Sequence, residues 1–196
     1  PYGRVLTLSA TLVVKEKKID GWKIAGITVY IDSEHFWHLA LVEAPESMGS
    51  KHLAELTQML DGEWPSQGKL RMAEDEGFAN FNWQYNEPYR LEIKLSEEGI
   101  QGLIYDMQGN ILAKQAFAFD DKKAVKCGKV GLRNGGFLSS FDDVEVNILK
   151  EEAYVPPKPV YPPYKGKGWS EIKAQAKGFF STKEINGVWW LIDPQG

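Results

Sequence analysis

One cysteine and three histidines are all the thiol and imidazole metal-ligating chemistry in this chain of 196 residues. Cys127 alone can close no internal disulfide and build no cysteine-based zinc site. No apolar run approaches the roughly 20 residues that a membrane helix needs, so no membrane partner is expected. Positive charge is also in short supply. Lys and Arg number 23 against 27 Asp and Glu, a formal net charge of −4, so a phosphate-binding surface and a nucleic-acid partner are not expected. The first ten residues, PYGRVLTLSA, hold no initiator Met, no basic n-region and no apolar h-region. No signal peptide is visible there, and a processed or truncated polypeptide is the expectation. Disorder over most of the chain is excluded, because 43% hydrophobic residues can offset the entropy of ordering.

Aromatic residues are plentiful. Seven Trp, eight Tyr and nine Phe make up 12% of the chain. Their flat apolar faces and polar edges suit sugar rings, and equally the core between two β-sheets, which composition favours.

Residues 1 to about 149 read as strands. Ala25, Ile27, Val29 and Ile31 share one face of a segment whose other face carries Trp22, Gly26, Thr28 and Tyr30. Asp32-Ser33-Glu34 is a turn, and His35 to Ala44 a further strand. Tyr89, Leu91, Ile93 and Leu95 alternate with Arg90, Glu92 and Lys94, the clearest period-two signal in the chain. Short turns at Glu97-Glu98-Gly99 and Met107-Gln108-Gly109-Asn110 make a three-strand meander with 100–106 and 111–119. Lys129 to Leu132 and Phe141 to Leu149 supply the last strands. Residues 52–60 are ambiguous: Leu53, Leu56, Met59 and Leu60 fit a helical stripe, yet HLAEL echoes HLALV at 38–42 as hairpin partners would, which favours a strand. The pattern predicts an all-β, two-sheet antiparallel sandwich of jelly-roll type.

Composition changes after Lys150. Residues 154–164 hold five of the ten prolines, the composition of an extended, semi-rigid spacer. Beyond it, Phe179-Phe180 and Val188 to Ile192 read as short strands around an Asn186-Gly187 turn. The predicted organisation is a sandwich over 1–149, a Pro-rich linker over 150–168 and a β-hairpin over 169–196.

Two stretches resemble known families. Gly128-Lys129-Val130-Gly131-Leu132-Arg133-Asn134-Gly135-Gly136, followed by Phe141-Asp142-Asp143-Val144-Glu145-Val146, resembles the closing strands of the concanavalin A-like or laminin-G-like jelly roll. Ala25-Gly26-Ile27, Asp32-Ser33 and Phe36-Trp37 resemble its earlier strands. The second stretch is Gly178-Phe179-Phe180 with Glu184 to Gly196, containing Trp189-Trp190 and Asp193-Pro194-Gln195-Gly196. It resembles the lead-in to the catalytic barrel of agarase-like glycoside hydrolases, in which a β-sandwich precedes the barrel. This resemblance implies a secreted or periplasmic polysaccharide-degrading enzyme, a downstream catalytic domain as partner, and catalytic carboxylates beyond residue 196.

Within the chain no catalytic residue is expected. The E-x-D-x-x-E strand pattern of laminarinase-like jelly rolls is missing, and Glu74-Asp75-Glu76 reads as a solvated loop. The candidate sugar-binding residues are Trp22, Tyr30, Trp37, Trp64, Trp83, Tyr85 and Arg133. Trp64 and Trp83 stand out because loop surroundings do not oblige them to fill a core. Asp142 and Asp143 form a hard-oxygen pair for a possible structural calcium; the alternative is that one caps the Gly135-Gly136 loop and the other is solvated. No other cofactor is expected. His35 and His38, three apart in a strand, point to opposite faces and do not share a metal. The reading is a non-catalytic carbohydrate-binding or accessory module with a polysaccharide or oligosaccharide ligand. A glycoside hydrolase acting within the sandwich and a laminin-G-like protein-interaction domain are the alternatives.

Overall fold

The computed structural model describes residues 2–153, 178, 180–185 and 187–192. It divides into two units, 1–156 and 157–196. The predicted Pro-rich linker falls largely on residues outside the described set.

The first unit is an all-β sandwich of two antiparallel sheets. The strands are β1 (Tyr2–Lys17), β2 (Lys23–Asp32), β3 (His35–Glu43), β4 (His52–Met59), β5 (Arg71–Glu76), β6 (Pro88–Leu95), β7 (Gly99–Tyr105), β8 (Ile111–Ala118), β9 (Lys129–Gly135) and β10 (Phe137–Glu152). A six-stranded sheet runs β10-β1-β6-β7-β8-β5, and a four-stranded sheet runs β4-β3-β2-β9. The connections between the sheets range from the single residue Gly136, between β9 and β10, to the segments 60–70 and 119–128, in the jelly-roll arrangement predicted from sequence.

Strict alternation builds the core. Leu6, Leu8, Ala10, Leu12 and Val14 of β1 and Leu91, Ile93 and Leu95 of β6 face Ala25, Ile27 and Val29 of β2 and Trp37, Leu39 and Leu41 of β3, all buried. Each large apolar side chain fully buried there stabilises the fold by about 1.5–3 kcal/mol. Gly102 on β7 sets how closely the sheets approach: a Cβ at that position would lie 3.1 Å from Leu39 Cδ1 and 3.3 Å from Leu56 Cδ1. The crossing from β9 to β10 turns on Gly136, at φ +77°, where a Cβ would also press on Ile19 at 2.8 Å.

The structure resolves the ambiguous segment 52–60 as strand β4, paired with β3. It corrects the reading of Glu74-Asp75-Glu76, which lies on edge strand β5 opposite Ala116, Gln115 and Lys114. Its side chains carry no apolar alternation because the strand is solvated, and the charge discourages further strand addition at that edge. In the second unit, β11 (Ser181–Ile185) pairs with β12 (Val188–Ile192) around Gly187 at φ +77°. The predicted strand at Phe179-Phe180 falls partly outside the described residues, and β11 is described from Ser181.

A charged cluster is buried at one end of the sandwich. Lys23 and Glu43 lie opposite each other on β2 and β3, with side chains 0% and 2% exposed, and Lys23 Nζ is 3.1 Å from Glu43 Oε1. Glu43 Oε2 accepts from Tyr85 Oη and from His52 Nε2 at 3.1 Å. Burial works against the Glu43 carboxylate, but the hydrogen bonds from Tyr85, Lys23 and His52 outweigh it and hold its pKa below the ordinary range. Removing one member of such a pair strands the other. Glu43→Ala should therefore lower the unfolding free energy by about 3–5 kcal/mol in urea titration, whereas Trp22→Ala, at an exposed position, should shift it by less than about 0.5 kcal/mol.

Candidate sugar-binding face

The outer face of the four-stranded sheet is the candidate site. Alternation places Gly26, Thr28 and Tyr30 of β2 beside Ala40, His38 and Phe36 of β3, with Glu55 and Thr57 of β4 and Gly131 and Arg133 of β9 on the flanks. These residues face away from the core because their neighbours, Ile27, Val29, Trp37 and Leu39, face into it.

His38 is the centre. Its side chain is fully buried, with Glu55 Oε1 at 2.8 Å from Nε2 and Arg133 Nη1 at 3.0 Å from Nδ1. A guanidinium only donates, so Nδ1 accepts, and the imidazole is neutral with its proton on Nε2 directed to Glu55. Burial pushes the His38 pKa down, and Arg133 adds to that, against an opposing pull from Glu55. Arg133 is itself lowered by burial, and its guanidinium lies 4.6 Å over the Phe36 ring. Trp64 meets His38 edge-on, with centroids 5.0 Å apart and planes at 69°, and lies 5.8 Å from Phe36. Its ring stays 40% exposed, and Trp22 is 55% exposed. Together Trp22, Ile24, His38, Glu55, Trp64 and Arg133 line a cleft of about 540 Å³. Two exposed indoles therefore frame a rigid donor–acceptor array, an arrangement that can stack on a ring and hydrogen-bond its edge.

Of the candidates named from sequence, Trp22, Trp64 and Arg133 meet in this cleft, and Tyr30 lies on the same face, stacked 6.2 Å from Phe36. Trp37 and Trp83 are corrections: both are fully buried and cannot present a face to a ligand. Trp37 sits on the inner side of β3 against Phe117, and its Nε1 donates to the Val125 carbonyl at 3.0 Å. Trp83 lies in a non-strand segment, but that segment turns inward. Its ring stacks on His52 at 3.8 Å and 3°, and its Nε1 donates to Val42 O at 3.0 Å. Tyr85 belongs to the Glu43 cluster at the sandwich end, where burial and the neighbouring carboxylate push its hydroxyl pKa up.

Asp142 and Asp143 sit at a bulge in β10, where the pairing with β1 shifts between Ser9 and Thr11 and Asp143 adopts φ +48°. The Asp142 carboxylate accepts from the Asp143 N–H at 2.8 Å, and Asp143 accepts from Thr11 Oγ1 at 3.3 Å. Neither caps the Gly135-Gly136 loop in these bonds. Among the described residues no group of three or more His, Cys, Asp or Glu side chains could hold a metal.

His38 and Glu55 were missed by sequence reasoning. Their partners come from β4 and β9, 17 and 95 residues from His38. The available signal was the pairing of HLALV with HLAEL, which sets His38 near Glu55 on one face.

No protein-family model matches the chain, and no curated protein matches it in sequence. Several solved structures align with part of it at low similarity. Full-length tailspike protein 2 from an Escherichia coli O157:H7 bacteriophage aligns at 13% identity and TM-score 0.49, over 76% of this chain and 20% of the tailspike. This chain thus spans about a fifth of that protein. Chicken galectin 2 aligns at 11% identity and TM-score 0.42, over 72% of this chain and 89% of the galectin. The alginate lyase from Klebsiella pneumoniae aligns at 11% identity and TM-score 0.35, over 74% of this chain and 60% of the lyase. None of the three carries the functional argument, which rests on the site itself.

Neutral buried His38 makes stability depend on pH. Its folded pKa lies below the unfolded value of 6.5, so the unfolded chain takes up a proton first as pH falls. The contribution is complete above 6.5 and is lost as pH drops towards the folded value. Glu43 adds a loss of the same sign below 4.5. Burial works against the charged form of His35, but its hydrogen bonds to Asp32 and Asp61 outweigh it and raise its pKa. His35 therefore contributes the opposite sign over the same range, so the His38 contribution is read as a difference between variants. From about pH 7.5 to about pH 5 the urea midpoint of the native chain should lose more than that of His38→Gln, even though the variant is less stable at the higher pH.

Proposed function

We propose that the sandwich is a non-catalytic carbohydrate-binding module, in which Trp22 and Trp64 stack on sugar rings while Arg133 and Glu55 hydrogen-bond ring hydroxyls. The observation that carries this reading is the pair of exposed indoles flanking a His38–Glu55–Arg133 array whose proton positions are fixed. An ordered array costs little entropy on binding, and stacking supplies apolar contact that water leaves incompletely satisfied.

Hydrolysis within this cleft is the weaker reading. Glycoside hydrolysis uses two carboxyl groups flanking the scissile bond, and among the described residues Glu55, half-buried, is the one carboxylate lining the cleft. Glu43, which is buried, alternates onto the core face of β3. The exposed Trp22 and Trp64 also disfavour a flat polar surface of protein-interaction type.

The resemblance of residues 178–196 to a barrel lead-in supports placing the module beside a polysaccharide-degrading catalytic domain of the same polypeptide, in a secreted or periplasmic enzyme. The module would hold the polymer while carboxylates elsewhere cleave it.

Affinity electrophoresis and calorimetry of the full chain against a polysaccharide panel test the reading. Trp64→Ala and Trp22→Ala should each weaken binding by about tenfold or more, which is about 1.4 kcal/mol, with unchanged circular dichroism. Unchanged affinity in both variants, or no binding to any polymer of the panel, would refute it.

A further inference from the structure

A second cleft adjoins the first and shares Arg133 with it. It has a volume of about 650 Å³, and Thr28, Tyr30, Phe36, Lys129, Gly131 and Arg133 are among its lining residues. Its charge is one-sided: Lys129 and Arg133 line it, and among the described residues no carboxylate does. In a chain of net charge −4 this is a local reversal. Ser33 also lines the cleft, between Asp32 and Glu34; Asp32 accepts from His35 Nδ1 at 2.8 Å and from the Glu34 N–H at 2.9 Å.

The backbone explains the layout. Lys129, Gly131 and Arg133 alternate onto the outer face of edge strand β9, opposite Tyr30, Thr28 and Gly26. That face presents a cation, a gap and a cation over a distance of about 13 Å. Gly131 leaves the gap open, and Thr28 is its small neighbour across the ladder. Tyr30, 41% exposed, lies opposite Lys129 in the ladder, and the Lys129 ammonium sits 5.3 Å from the centroid of the Tyr2 ring. His38 takes one Arg133 donor, Nη1. A guanidinium has five donors in a planar fork suited to a carboxylate or a sulfate.

We infer that this second cleft receives an anionic substituent of the bound glycan, a carboxylate or a sulfate ester held between Lys129 and Arg133, so that the module selects charged over neutral polysaccharide. The inference rests on the carbohydrate-binding reading above and adds the ligand's charge and the strand that reads it. The first cleft, with its two indoles and Glu55, accommodates a neutral ring, and Arg133 at the junction couples the two.

The test is calorimetry of the full chain and of Lys129→Gln with three oligosaccharides of equal length: a neutral galactan, its sulfate ester and an oligouronate. The native chain should bind at least one anionic ligand more tightly than the neutral one. That preference should shrink by about threefold to fivefold in Lys129→Gln, as loss of one solvent-accessible ion pair allows, while affinity for the neutral ligand stays unchanged. Added salt should erode the preference and spare the neutral ligand. Which anionic ligand wins distinguishes carboxylate from sulfate. Equal binding of neutral and charged ligands, or a preference that survives Lys129→Gln, would overturn the inference and leave the carbohydrate-binding reading standing. Failure to bind all three would overturn both.

Discussion

The bond from the Trp37 indole N–H to the Val125 carbonyl, made between the sheets where no water competes, fixes which side of β3 faces inward. A strand has a side-chain period of two, so a slip by one residue would turn every side chain over. With Trp37 held inside against Phe117 and Phe119, His38 must lie outside, across from Thr57 and near Glu55. The candidate site is therefore the reverse side of the core. The polar array is held in place by the same alternation that buries Leu39 and Leu41.

The two ends of the sandwich are closed by different chemistry. Trp37, Phe117 and Phe119 close one region with aromatic packing. At the other, Trp83 stacks on His52, and His52 shares the Glu43 carboxylate with Lys23 and Tyr85. Buried charge is costly unless every member has partners, and here each member contacts another. This cluster ties β2, β3, β4 and the segment around residue 85 together. It lies on the core side and reaches the outer-face cleft through Lys23, which also lines that cleft, and its function in this account is to fasten the scaffold on which the cleft is displayed.

Much of the scaffold was legible in the sequence because its strands are amphipathic. β2 and β6 announce their inner faces by alternation, and the short turns between β6, β7 and β8 are written in Gly, Asn and Asp. β5 was not legible: as a solvated edge strand it carries charge where alternation would be expected. The aromatic residues were legible as a class but not individually. Trp83 sits in a loop, which argued for exposure, yet its N–H finds the Val42 carbonyl and the loop folds inward. Trp64 also sits in a loop and stays at the surface. Nothing local separates the two; long-range hydrogen bonding does. His38 was weighed against His35 as a metal partner, whereas its real partners arrive from strands distant in sequence.

The central claim is that ligand meets the outer face of the four-stranded sheet and leaves the core untouched. The most direct measurement is the set of tryptophan indole N–H signals in nuclear magnetic resonance spectra, assigned by substitution and followed as an oligosaccharide is added. The account predicts that the Trp22 and Trp64 signals move with ligand while those of Trp37 and Trp83 stay fixed. Movement confined to Trp37 or Trp83, or ligand binding that leaves Trp22 and Trp64 unmoved, would contradict it.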